Sequence, residues 1–165
     1  MVMFLDYDGV VNTIQWVYNK ETNKYENNYG YPSQGKVNNW QAVQWISELC
    51  QKFNIDIVVT STWRMWENYK ECLVRGGLRK DIKILGKVPL DNKKTRAEQI
   101  NSYLSENPNI NNQFIIVDDD VVDMSPFGYN NKNHFIQCRT NAGFNLEEYA
   151  KAKEIVENLL REGDN

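Results

Sequence analysis

Three short apolar runs set the rhythm of the chain: Met1 to Leu5, Ile55 to Val59 and Phe114 to Val117. Each ends in acidic or hydroxyl residues, and together they predict three strands buried in a sheet. Between them the apolar positions change to helical spacing. Val37, Trp40, Val43, Ile46, Leu49, Cys50 and Phe53 predict a crossover helix whose aromatics belong to the core. Met65 to Arg75 predicts a second helix, stopped at Gly76-Gly77. A third opens at Lys93 or Lys94, runs through Ile100 and Leu104, and breaks near Pro108. Asn145, with Glu148 three residues on, is a capping-box variant that opens a last helix carrying Leu146, Tyr149, Ala150, Val156, Leu159 and Leu160. Ile82 to Leu85 predicts a weak edge strand and His134 to Cys138 a final one. Strands alternating with helices predict an α/β fold, a Rossmann-like, doubly wound and mostly parallel sheet.

One stretch follows a different rhythm. From Thr13 to Gln34, Ile14, Trp16 and Tyr18 alternate with polar neighbours, Asn19 to Lys24 is turn-like, and Tyr25 to Tyr31 can return. This predicts a small hairpin flap over about 13–34. Its aromatics either pack the hairpin onto the domain or stack on a base or sugar.

Composition narrows the classes without choosing among them. With 165 residues and a net charge of −3, the expectation is one domain with no global basic footprint for nucleic acid. No apolar stretch is long enough to span a membrane, and Met1 to Leu5 runs straight into charged residues rather than into a signal peptide's cleavage region. Cys50, Cys72 and Cys138 are widely spaced and odd in number, which argues against a disulfide framework and fits a reducing cytoplasm. His134 is the single histidine, so a His-based zinc site or a Ser-His-Asp triad has little support. Oligomeric state is left open.

The candidate chemistry collects at the carboxyl ends of the three buried runs, where open parallel sheets bind ligands. After the first comes Asp6-Tyr7-Asp8-Gly9. Residues i and i+2 of a strand point the same way, so both carboxylates can face one site. They repel each other unless a cation or a shared proton relieves them, and a divalent magnesium ion held by oxygens is the natural partner. Asp-x-Asp-Gly is also a common turn and a calcium-loop fragment. After the second run comes Thr60-Ser61-Thr62-Trp63-Arg64, whose hydroxyls and N–H groups suit phosphate oxygens, or simply cap the next helix. After the third comes Asp118-Asp119-Asp120, with Asp123 following. Arg64 to Arg96 carries a local basic excess, either a solvated surface or a substrate-facing one.

Strand-Asp-x-Asp-Gly, strand-Thr-Ser, a lysine opening a helix, then strand-Asp-Asp-x-x-x-Asp, in that order, resembles the haloacid dehalogenase (HAD) superfamily. The four motifs span Phe4 to Asp123. Asp-Gly-Val-Val-Asn, Thr-Ser-Thr-Trp-Arg and the Asn-Ala-Gly-Phe-Asn turn before the last helix resemble the small HAD domains of RNA-repair ("Swiss army knife") proteins and their stand-alone relatives. The resemblance implies a HAD-type phosphatase, a magnesium-dependent phosphomonoesterase. Asp6 would be the nucleophile that forms an aspartyl-phosphate, and Asp8 the general acid and then base. Thr60 would contact the phosphoryl oxygens. Lys94 would balance charge, with Lys93 and Arg96 as rivals. Mg2+ would be held by Asp6, Asp118 and the backbone carbonyl of Asp8, with Asp119 or Asp123 behind. Ser61, Arg64, Lys93 and Arg96 are the candidate substrate-binding residues. Val10 stands where phosphatases of the superfamily often carry Thr.

Cap domains select substrate in this superfamily. They would enter after the first motif or between the second and third, and both intervals are too short for a large one. An open site is similar to those of family members acting on macromolecular ends or on other proteins, which favours a polynucleotide or phosphoprotein end over a small metabolite. The leading expectation is removal of a terminal phosphate from a nucleotide or polynucleotide. A small-metabolite or nucleoside monophosphate phosphatase and a catalytically silent module binding a phosphorylated partner are the alternatives.

Overall fold

The computed structural model describes residues 1–28, 35–110, 112–125, 127 and 133–163, with the backbone alone at 15–18 and 25–28. Strands β1 (Val2–Leu5), β4 (Asp56–Val59), β5 (Ile84–Lys87), β6 (Phe114–Asp118) and β7 (Phe135–Gln137) form one sheet in the order β5-β4-β1-β6-β7. Every pairing in it is parallel. The three apolar runs are therefore the three central strands. Leu5 stands level with Val59 on one side and Val117 on the other. That register brings the carboxyl ends of β1, β4 and β6 to one edge.

Alternation along each strand divides the core between two faces. Met3, Leu5, Ile57, Val59, Ile115 and Val117 pack with Val43, Ile46 and Leu49 of α1 (Trp40–Phe53), Cys72 and Leu73 of α2 (Tyr69–Arg75) and Ala152, Val156 and Leu159 of α4 (Leu146–Gly163). Val2, Phe4, Val58, Phe114 and Ile116 face the other way, against Ala97 and Ile100 of α3 (Arg96–Glu106). This is the expected α/β, Rossmann-like arrangement, with no large cap among the described residues.

Element boundaries moved for local reasons. Helix α1 starts at Trp40 rather than Val37, because the Asn39 side chain accepts from the Ala42 N–H and caps it there. Trp40, expected in the core, is 61% exposed at that end. The span from Met65 to Arg75 is not one helix. A 3-10 turn, Thr62–Met65, ends at extended Trp66 before α2 begins. Strand β5 is an edge strand, shifted two residues on from the expected position. Strands β2 (Gln15–Asn19) and β3 (Lys24–Asn28) pair antiparallel, as the hairpin pattern predicts. The flap's Tyr29 and Tyr31, with the rest of 29–34, lie outside the described residues. So do the side chains of Trp16, Tyr18 and Tyr25.

Candidate active site

Asp6 follows β1 directly, its N–H donating to the Val117 carbonyl at 3.0 Å. Asp118 closes β6 beside it. Both carboxylates are buried, Asp6 at 3% exposure. Between Asp6 and Asp118 sits Arg96, whose Nη1 lies 3.1 Å from Asp6 Oδ1 and 2.5 Å from Asp118 Oδ2. Its Nε lies 3.4 Å from Asp123, whose carboxylate also accepts from the Arg96 backbone N–H. Thr95 explains this placement. Its side chain and Glu98 form a capping box, so the helix opens at Arg96 and that residue faces the sheet edge.

Burial and mutual repulsion dominate the electrostatics. Asp6 is held well above the usual carboxylate range, chiefly by burial and then by Asp118, with Arg96 opposing. Asp118 is likewise raised by burial, and Arg96 and the Asp120 N–H hold it down. Burial would lower Arg96, but Asp6, Asp118 and Asp123 together raise it above its ordinary value.

One carboxylate oxygen each from Asp6, Asp118 and Asp119 lies within 4.8 Å of the others. A cluster of hard, repelling oxygens suits Mg2+, and a cation there relieves the strain that the raised carboxyls record. The carboxylate of Asp8 is not part of this group. Its oxygens are taken by neutral donors: Asn12 Nδ2 at 2.7 Å on Oδ1 and Trp63 Nε1 at 3.0 Å on Oδ2. Asp119 Oδ2 accepts from Thr140 Oγ1 at 2.6 Å and packs against Gly9. A Cβ at Gly9 would lie 2.1 Å from that oxygen, and Gly9 has φ +71°, so the turn requires glycine.

Asp6, Asp8, Arg96 and Asp119 line an open cavity of about 380 Å³, joined at its wall by Thr62 and Thr140. Thr62 belongs to the hydroxyl cluster that the sequence places after the second run, whereas Thr140 has no role in the sequence reading. The cavity is where the Asp-x-Asp pattern places it, at the carboxyl ends of β1 and β6.

The remaining candidates divide. Thr60 is fully buried after β4, and its Oγ1 has no hydrogen-bond partner among the described residues. Ser61 accepts from the Trp63 N–H and caps the 3-10 turn. Arg64 is withdrawn from the cavity at 3% exposure, donating to Gln99 Oε1 at 2.5 Å. Burial, and then the charge of Arg96, lower its pKa to about 10. Lys93 and Lys94 do not reach the carboxylates. They lie in the exposed turn before α3, where the Lys94 amine donates to Ser102 at 3.1 Å and pairs with Asp91 at 3.9 Å. Of the three rival cations, Arg96 is the one that stands beside Asp6 and Asp118, because the capping box starts the helix one residue after Thr95.

Fold and site together define a HAD-type hydrolase architecture: a parallel sheet with acidic clusters at two adjacent strand ends. Residues 2–149 match the family described as the HAD domain in Swiss Army Knife RNA repair proteins, and the chain belongs to that family. No curated protein matches the sequence. Family membership supports hydrolase or phosphatase-type activity in general terms. No helix among the described residues is long and apolar enough to cross a membrane.

Proposed function

We propose that this protein is a magnesium-dependent phosphomonoesterase that works through an aspartyl-phosphate on Asp6 and removes terminal phosphate from a nucleotide or polynucleotide. The observation that carries the reading is the Arg96 guanidinium bridging Asp6 and Asp118, with Asp6, Asp8 and Arg96 together lining one open cavity.

In this reading an Asp6 oxygen attacks phosphorus, and the bond to the leaving oxygen breaks as Asp8 protonates that oxygen. Asp8, now a carboxylate, takes a proton from water as the water attacks phosphorus. The acyl phosphate breaks, inorganic phosphate leaves and Asp6 is restored. Arg96 opposes the burial and the Asp118 charge that favour the neutral form of Asp6. The Thr60 hydroxyl, which has no hydrogen-bond partner among the described residues, would turn to a phosphoryl oxygen once substrate is seated. Asp6, Asp118 and Asp119, with the Asp8 carbonyl, would hold Mg2+, which when bound neutralises phosphoryl charge and orients the group for in-line attack.

The polynucleotide preference draws on the RNA-repair setting in the family's description and on the open cavity. The test is phosphate release, with and without Mg2+, from 3′- and 5′-phosphorylated DNA and RNA oligonucleotides, mononucleotides and an aryl phosphate. Release from oligonucleotide ends well above the rate on mononucleotides is expected. Equal rates would favour a small-molecule phosphatase. No turnover on any ester despite Mg2+ binding would favour a silent phospho-ligand module.

A further inference from the structure

Asp8 is fixed in place by groups that the four motifs do not include. Its Oδ2 accepts from the indole N–H of Trp63 at 3.0 Å, and its Oδ1 from the Asn12 amide at 2.7 Å. These donors come from separate segments, the 3-10 turn after β4 and the loop after β1. Two donors on two oxygens define the plane of the carboxylate, which a single donor would leave free to rotate.

Trp63 is itself immobilised. It is buried, its ring meets Tyr7 edge-on at 5.7 Å, and the Tyr7 hydroxyl is anchored on the Tyr69 carbonyl at 2.9 Å. The Ser61 hydroxyl accepts from the Trp63 backbone N–H, which sets the turn that aims the indole. The chemistry of the donor matters as much as its place. An indole N–H only donates, carries no charge, and cannot take the proton that Asp8 must deliver. A lysine or arginine in the same place would hold Asp8 in an ion pair instead.

We infer that Trp63 is the positioning residue for proton transfer by Asp8, its indole N–H holding the carboxylate at the angle from which the leaving oxygen is protonated. This rests on the proposed phosphatase reading. A misplacement of about 1 Å at a reacting group can cost about 10²-fold, so the contact is large enough to measure.

The test is Trp63→Phe, which keeps an aromatic ring against Tyr7 and removes the N–H. Its kcat/KM is compared on two esters, one with an alkyl leaving group that needs a proton and 2,4-dinitrophenyl phosphate, whose leaving group does not. A loss of about 10- to 10²-fold on the alkyl ester, with little change on the dinitrophenyl ester, is expected. Equal losses on both would overturn the inference, because a merely structural role has no reason to follow the leaving group. A second arm needs no turnover and no metal. In metal-free protein labelled with 15N-tryptophan, the indole signal that Trp63→Phe removes should shift in Asp8→Asn. An unmoved signal would overturn the contact itself. If wild-type protein hydrolyses neither ester while that signal does shift, the phosphatase reading fails and the contact is structural only. Turnover by wild type with equal losses in the variant defeats the positioning role alone.

Discussion

Asp6 and Asp8 are the same side chain two residues apart, yet their surroundings have little in common. Asp6 is buried among charges: Asp118, Asp119 and the guanidinium of Arg96. Asp8 is half-buried and meets two neutral donors, an indole and an amide. The first environment raises the cost of ionisation and leaves it to a cation to relieve. The second orders a carboxylate without supplying a counter-charge. A nucleophile needs its charge kept and balanced, whereas an acid and base needs freedom to exchange a proton from a fixed position. The difference lies in what α3 and the turn after β4 bring to each oxygen.

The sharpest way to break this contrast is to neutralise each carboxylate singly. Asp6→Asn should abolish phosphoenzyme formation, with turnover down by at least about 10⁴-fold, measured by trapping labelled protein from a radiolabelled phosphate ester. Asp8→Asn should cost about 10²- to 10⁴-fold, most on esters with poor leaving groups. Similar, mild losses in both would mean that the pair does no more than hold metal.

Arg96→Gln probes the charged side alone. It leaves Asp6 and Asp118 buried without their shared partner, so a loss of about 3 kcal/mol in stability is expected, read by denaturant melts of metal-free protein. Added Mg2+ should recover part of it. A variant as stable as wild type would show that the two carboxyls are protonated together in the metal-free protein and need no cation.

A smaller effect follows from the raised carboxyls. Asp6 and Asp118 hold protons at pH values where the unfolded chain has released them. Their penalty is absent below the ordinary carboxylate value of about 4 and grows as pH rises through the raised values. Stabilisation by Mg2+ should therefore increase from about pH 4 upward. Thermal shifts with and without Mg2+ across that range check this, and Asp118→Asn should flatten the dependence. A pH-independent shift in wild type would place the metal elsewhere.

The sheet was legible because its central strands are apolar on both faces, and each ends abruptly in acids or hydroxyls. Asp6, Asp8 and Asp118 could be placed at one edge from that alone. The hydroxyl cluster was harder, since Ser61 turns out to cap while Thr60 has no partner among the described residues. Trp40 was misjudged because it continues the helical stripe yet stands at the first position of α1, at the exposed end of the helix. Trp63 was invisible as an Asp8 partner, since a contact across 55 residues is set by packing and has no local pattern.

The smallest predicted effect tests the assignment most open to confusion, since Lys93, Lys94 and Arg96 are near neighbours. A local signal separates them: Thr95 and Glu98 form a capping box that dates the helix start to Arg96. That start points Arg96 at Asp6 and Asp118 and leaves Lys94 in the preceding turn, beside Asp91 and Ser102. An exposed pair of this kind is worth about 0–1 kcal/mol. Lys94→Ala should accordingly change kcat/KM on an aryl phosphate by less than about twofold, and leave the Mg2+ thermal shift intact. A loss of about 10²-fold would mean that the turn at 91–94 refolds around substrate and carries Lys94 to the phosphate. If the loss appears only with phosphorylated oligonucleotides, Lys94 contacts the chain beyond the scissile phosphate, and charge balance at Asp6 still belongs to Arg96.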